Sequence, residues 1–241
     1  MPGKERLAAI VDVIERYEPD LLVTAGWALD VTDDLIALSS RMRGQRSATI
    51  VVAEIHRDAG PKDFPTRSHA MWAVLQPGCR LHRFGNQAFR TADESRSNWR
   101  QCMLKFRRHV GARTLEAMGQ RLLALCCGEI HVVVGRHDPR FVCAFAERAV
   151  MSADIIVNPT HDRMGNGGTL RAKRSFLSRQ RDGRDRVYVS CSTWDVSGKN
   201  RGVQQPSLTL HTVYRSGLPL KYDEIADGSD GVVVRRWTID R

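Results

Sequence analysis

The sequence predicts one α/β domain, on three observations. Two apolar runs of strand length, Leu122 to Cys126 and Ile155 to Val157, are joined by a helix-sized segment. Each run ends in reactive or polar residues, Cys127-Gly128-Glu129 after the first and Asn158-Pro159-Thr160-His161 after the second. In open α/β sheets, sites gather where neighbouring strands end. The 241 residues, 42% apolar and 27% charged, suffice for a substantial core without a second domain.

The elements follow in order. Leu7, Ile10, Val11, Ile14 and Tyr17 fall at helical spacing between charged residues, so residues 4–17 read as an amphipathic helix that Pro19 ends. Leu21 to Val23 is a short strand. Thr32, ahead of Asp33 and Asp34, reads as the N-cap of a helix running to about Met42. Ala48 to Ile55, rich in β-branched residues, is the next strand, and residues 56–69 are loop by their Gly, Pro and Asp content. Met71 to Leu75 and Arg80 to Phe84 flank Gln76-Pro77-Gly78-Cys79, a strand-turn-strand signal. Residues 85–98 lack periodicity and read as loop. Trp99 to Val110 reads as a helix with Met103, Phe106 and Val110 inward, and Gly119-Gln120 as the turn before the Leu122 strand. Asp138 to Met151 is helical by the four-residue spacing of Phe141, Phe145 and Ala149. Leu170 to Gln180 reads as a helix and Val187 to Ser192 as a strand. Ser207 to Tyr214, a turn at Ser216-Gly217 and Val232 to Ile239 read as antiparallel strands.

Charge and cysteine usage narrow the partners. The net charge is +10, carried by 31 Arg against 6 Lys, and neutralising phosphate is the ordinary use of such a balance. The densest run, Arg171 to Arg186, has no aromatic stacking platform interleaved with it, so nucleic acid is disfavoured. No apolar run approaches a membrane helix in length, and MPGKERLAAIVDV has no secretion pattern. The six cysteines show no CxxC pair and no metal-ligand spacing. The expectation is a cytoplasmic protein with free thiols, no metal and no cofactor.

Cys127 is the candidate nucleophile. Free cysteine commonly packs as a small hydrophobe, and Cys126, alternating to the other face of its strand, reads as core. Cys127, at the strand end beside a glycine and a carboxylate, is placed for chemistry. At these residues the chain resembles the nitrilase or carbon-nitrogen hydrolase superfamily. EPDLLVTAGWAL is similar to that family's glutamate-bearing strand, and LLALCCGEI to its nucleophile strand, with Cys127 on the cysteine and Glu129 on the acid two residues later. ADIIVNPTHD, LRAKRSFLSR, VYVSCSTWD and PSLTLHTVYRSGLPL are similar to the strand, helix, strand and hairpin that follow. The resemblance implies a four-layer α-β-β-α sandwich with mixed sheets, a homodimer, and a Glu-Lys-Cys triad acting on a small-molecule amide or nitrile. It implies too that Glu129 holds the turn by hydrogen bonds to backbone. Members usually begin with a strand ahead of the first helix, whereas this chain begins in the helix.

Of the three triad positions only the cysteine matches. The glutamate position reads Gly26, beside Trp27. The place of the lysine, after the Arg80 strand, reads Arg83-Phe84-Gly85-Asn86. Lys105 reads as a surface residue of its helix. A free thiol, with a pKa of about 8.5, needs a base or cation beside it. Two residues are candidates for a rebuilt base: Glu54, near the end of the Ala48 strand, and His161, just after ADIIVNPT. A local hydrogen bond in the turn, with Asp162 as partner, is the competing role for His161. Arg136, Arg140 or Arg171 could instead act on the thiol through charge. Two functions remain open: a divergent carbon-nitrogen hydrolase of amidase or nitrilase type with Cys127 as nucleophile, and a catalytically inactive binding or interaction module that keeps the pocket.

Overall fold

Side chains alternate across a strand, so a strand that is apolar on both faces must be covered twice. The central strands of this chain are of that kind. In the computed structural model, residues 3–43, 48–61, 69–75, 78–90, 97–161, 167–180, 183–193, 211–227 and 232–239 are described. In the first half, β1 (Leu21–Val23) and β2 (Leu29–Val31) both pair in parallel with β3 (Ile50–Arg57). Antiparallel β4 (Ala70–Leu75) and β5 (Arg80–Asn86) complete a five-stranded sheet. The second half contributes β6 (Thr114–Ala117), β7 (Gln120–Ala124), a small ribbon of β8 (Val133–Val134) and β9 (Arg140–Phe141), then β10 (Ile155–Thr160), β11 (Val187–Ser192), β12 (His211–Arg215) and β13 (Leu218–Pro219). Apart from the ribbon these form a six-stranded sheet in the order β13-β12-β11-β10-β7-β6, parallel at its centre and antiparallel at its margins. β14 (Asp223–Asp227) and β15 (Val233–Arg236) pair with each other.

Alternation decides the layering. Ile50 and Val52 of the first sheet face Leu122, Ala124, Ile155 and Val157 of the second in one buried cluster between the sheets. The intervening Val51, Ala53 and Ile55 pack under α1 (Gly3–Tyr17) and α2 (Thr32–Met42). Leu123, Ile156 and Tyr188 pack instead under α3 (Trp99–His109), α4 (Ala144–Met151) and α5 (Gly167–Leu177), through Phe106, Val150 and Phe176. The result is the expected α-β-β-α sandwich of mixed sheets.

Several local expectations need correction. Thr32 is the first helical residue of α2 rather than its cap: the Asp34 carboxylate accepts from the Asp30 and Val31 amides, at 2.9 and 3.1 Å, while Thr32 Oγ1 accepts from Ala59 N. The helix expected from Asp138 starts only at Ala144, because Arg140 and Phe141 pair with Val134 and Val133. β6 was hidden in the sequence; four residues without alternation become a strand by pairing with β7. Within the Arg171 to Arg186 run, Lys173, Arg174 and Arg186 are buried, and Arg186 donates to Met151 O at 2.8 Å. The Gln76-Pro77 half of the expected turn, the loops within 62–68 and 91–96, Asp162 and Ser207 to Leu210 lie outside the described residues. Among the described residues, no helix is long and apolar enough to cross a membrane.

Candidate active site

β7 ends at Ala124, and the chain then turns into a 3-10 helix over Cys127–Val132. Gly128 is required there, because a Cβ on it would collide with the backbone of Arg90. Glu129 fixes the turn. Its Oε2 accepts from Cys126 N at 2.9 Å, and its Oε1 accepts from Ala88 N at 2.6 Å and from Arg113 Nη2 at 2.7 Å. Both side chains of the Arg113–Glu129 pair are fully buried. Burial pushes the Glu129 carboxyl up, against the pull of Arg113 and the two amides. On the other side of the turn, Asn158 Nδ2 donates to Leu125 O at 2.7 Å and Cys127 O at 3.4 Å, and Tyr188 Oη donates to Asn158 Oδ1 at 2.7 Å. Cys126 is buried in the cluster between the sheets, as expected of a core thiol. Cys127 is half-buried, facing the end of β10.

The strand ends of the two sheets meet at this thiol. Gly26 N donates to Thr160 O at 3.2 Å, and Thr193 Oγ1 to Gly26 O at 3.1 Å. Glu54 shares the parity of Ile50 and Val52 and points into the space between the sheets, where it is 1% exposed. His161, the first residue after β10, donates its backbone N–H to Cys127 Sγ at 3.4 Å. Its Nε2 lies 2.8 Å from Glu54 Oε2. That approach lies off the ring N–H axis, so the two meet as an ion pair rather than a linear hydrogen bond. Glu54 Oε2 also accepts from Trp27 N at 3.1 Å, and His69 Nε2 stands 3.8 Å from Oε1 while bonding Gln87 Oε1 at 3.1 Å.

Gly26 explains how this is possible. A Cβ at position 26 would collide with Cδ2 and Nε2 of His161 and lie 2.9 Å from Glu54 Oε2. The imidazole thus occupies the room that a side chain at position 26 would need. Burial alone would pull the imidazole's pKa down; the Cys127 thiol and the Glu54 carboxylate outweigh it and raise the value to about 9.

This shift sets a stability signature. The imidazole is held charged in the fold at pH values where a free one, at about 6.5, has lost its proton. The stabilisation is complete below pH 6.5 and is lost as pH rises through about 9. Wild-type protein is expected to lose up to about 3 kcal/mol over that interval beyond any loss in His161→Ala. Urea unfolding of both proteins at stepped pH measures the difference.

The structure brings Cys127, His161 and Glu54 together, with Glu129 behind the turn. The other sequence candidates lie elsewhere. Lys105 is half-buried on α3, Arg140 is exposed in β9 and Arg171 on α5, and Arg136 packs against Gly168. Among the described residues none of these four hydrogen-bonds or ion-pairs with the thiol, and no group of His, Cys, Asp and Glu could hold a metal ion. Arg83, where the lysine was expected, is tied to Asp58 and Asn86. A depression of about 290 Å³ beside Phe141, Cys143 and Glu147 shares no lining residue with the thiol site. Sequence reasoning missed Arg113, Asn158, Tyr188 and His69, of which only the polar end of the apolar β10 run was a visible signal.

No protein-family model matches the sequence, and no curated protein matches it. Solved structures do. An amidase of the nitrilase superfamily from Nesterenkonia AN1, as a cysteine-to-alanine mutant, superposes with a TM-score of 0.53 at 14% identity, over 91% of this chain and 80% of that one. The same kind of mutant in complex with butyramide gives 0.52 at 15%, over 91% and 80%. A glutamate-to-glutamine mutant of the amidase, showing Michael addition of acrylamide at its active-site cysteine, gives 0.50 at 15%, over 90% and 82%. The chain has the nitrilase-superfamily fold.

Proposed function

We propose that the protein is a divergent carbon-nitrogen hydrolase whose nucleophile is Cys127, with His161 as its proton carrier and Glu54 as the group that orients and stabilises the imidazolium. The observation that carries this reading is the imidazole in the space over Gly26 and against the Glu54 carboxylate, on a residue whose backbone N–H donates to the Cys127 thiol. A base held by a carboxylate and facing a nucleophile is the general logic of a catalytic triad. The family resemblance supplies the bond class, a small-molecule amide or nitrile.

For an amide the proton and electron accounts close. The proton of the Cys127–His161 couple resides on the imidazole before substrate binds, so the thiolate attacks the carbonyl carbon and the carbonyl π pair moves to oxygen. Collapse of that intermediate breaks the C–N bond, and the imidazolium gives its proton to the departing amine. Neutral His161 then takes a proton from water, whose oxygen attacks the thioester; the acid leaves and the thiol is restored. In the absence of a lysine after β5, the imidazolium also supplies positive charge beside the oxyanion, where preorganised charge contributes most. Turnover is expected to fall as pH rises through about 9, where His161 loses its proton.

The test is covalent capture. Small primary amides and hydroxamates are incubated with the protein, and the Cys127 peptide is read by mass spectrometry. The proposal expects an acyl mass on Cys127 that is lost in Cys127→Ala. Gly26 and the missing lysine favour the inactive-module reading, which predicts that no amide leaves an adduct.

A further inference from the structure

His161 needs something to hold its ring at a heading that serves both Glu54 and Cys127, and Trp27 is built for that. Its backbone is left-handed, with φ of 57°, a conformation that a bulky residue adopts only when its surroundings enforce it and that clusters at functional sites. Here both of its peptide groups are tied. Trp27 N donates to Glu54 Oε2 at 3.1 Å, and Trp27 O accepts from Arg6 Nη1 at 2.7 Å. The indole that results lies on His161, with ring centroids 3.9 Å apart and planes tilted by 37°. His56 packs on the indole as well, at 4.7 Å. The indole Nε1 is buried and makes no hydrogen bond among the described residues, so the ring meets its neighbours through its faces and edges.

We infer that Trp27 is a positioning residue for His161: its indole, aimed by the strained backbone that Glu54 and Arg6 hold, stacks on the imidazole and keeps it between the carboxylate and the thiol. The inference rests on the proposed role of His161. An aromatic face attracts a cation, so the stack holds the imidazolium more firmly than the neutral ring. The groups facing this pair are Glu54 and His56 from β3, His69 ahead of β4, Cys127 at the end of β7 and Arg6 from α1. The adjoining Gly26 leaves the room, and Trp27 supplies the wall.

Two substitutions of Trp27, a His161→Ala background and two readouts test this without any substrate. Protonated imidazole quenches the fluorescence of a stacked indole. The difference in emission between wild type and Trp27→Phe, followed with pH, is expected to brighten through about pH 9 as His161 loses its proton, and the same difference measured in a His161→Ala background is expected to lack that transition, leaving only what His56 and His69 contribute. Alkylation of Cys127 by iodoacetamide at pH 6.5 is expected to slow about tenfold in Trp27→Leu, consistent with loss of a partly buried cation–π contact, and to slow less in Trp27→Phe, which keeps an aromatic face. A pH-independent difference spectrum would overturn the inference. So would a folded Trp27→Leu, with unchanged far-ultraviolet circular dichroism, that alkylates at the wild-type rate. If the spectrum titrates and no amide acylates Cys127, the hydrolase reading fails and the positioning role stands. If amides acylate but the spectrum does not titrate, the positioning role alone falls.

Discussion

In His161→Ala, acylation of Cys127 by an amide is expected to slow about 10²- to 10⁴-fold at neutral pH, the usual cost of losing a general base. The imidazole is the only titratable ring among the described residues whose pKa is raised by the Cys127 thiol and the Glu54 carboxylate together. Its removal leaves the thiol without a proton acceptor and the Glu54 carboxylate without its nearest cation. Glu54→Gln is expected to act in the same direction but less severely, since it leaves the imidazole in place and removes only its counter-charge. Time-resolved intact mass measures both. A fall smaller than threefold in His161→Ala would remove His161 from the mechanism.

The second large effect concerns the turn that presents the thiol. Arg113 and Glu129 are 2.7 Å apart and wholly out of solvent. Breaking a buried pair by deleting one partner strands the other charge, at a cost of about 3–5 kcal/mol, a large share of a domain's total stability of about 5–15 kcal/mol. Arg113→Met is therefore expected to shift the urea midpoint far down. Arg113→Met with Glu129→Gln should regain only part of that loss, because the stranded charge is gone but the amide oxygen can accept from only one of Cys126 N and Ala88 N, leaving the amide NH2 against the other donor. A loss below about 1 kcal/mol in Arg113→Met would mean that the turn is held by the backbone alone, since surface-like ion pairs contribute no more than that.

The strands around the thiol were legible in the sequence because they are apolar on both faces: β7 and β10 overlap their runs, although β7 takes in Gln120 from the expected turn and stops at Ala124, two residues short of Cys126, and β10 runs on to Thr160. The spacing of Phe141, Phe145 and Ala149 misled, since a helical phase continued into residues that the β8 partner captures as strand. Arg113 was invisible for a different reason. Arginine is almost always exposed, and only the long-range arrival of Glu129 and of Asn86 O, which accepts from Arg113 at 2.5 Å, makes its burial tolerable. Gly26 shows the limit most clearly. In the sequence it reads as a lost glutamate; in three dimensions it is the space into which a histidine from the other sheet fits. A glycine's meaning lies in what approaches it, and that is a long-range fact.

The central claim is that Cys127 is activated by His161, and it can be tested without knowing the substrate. The measurement is the rate of iodoacetamide alkylation of Cys127 at pH 6.5, mapped by peptide mass spectrometry in wild type and in His161→Ala. The account predicts that the wild-type thiol reacts at least about tenfold faster than in the variant, because a thiolate paired with an imidazolium is the reactive species. Equal rates in two folded proteins would contradict it, and would leave Cys127 an ordinary thiol on a nitrilase-like scaffold.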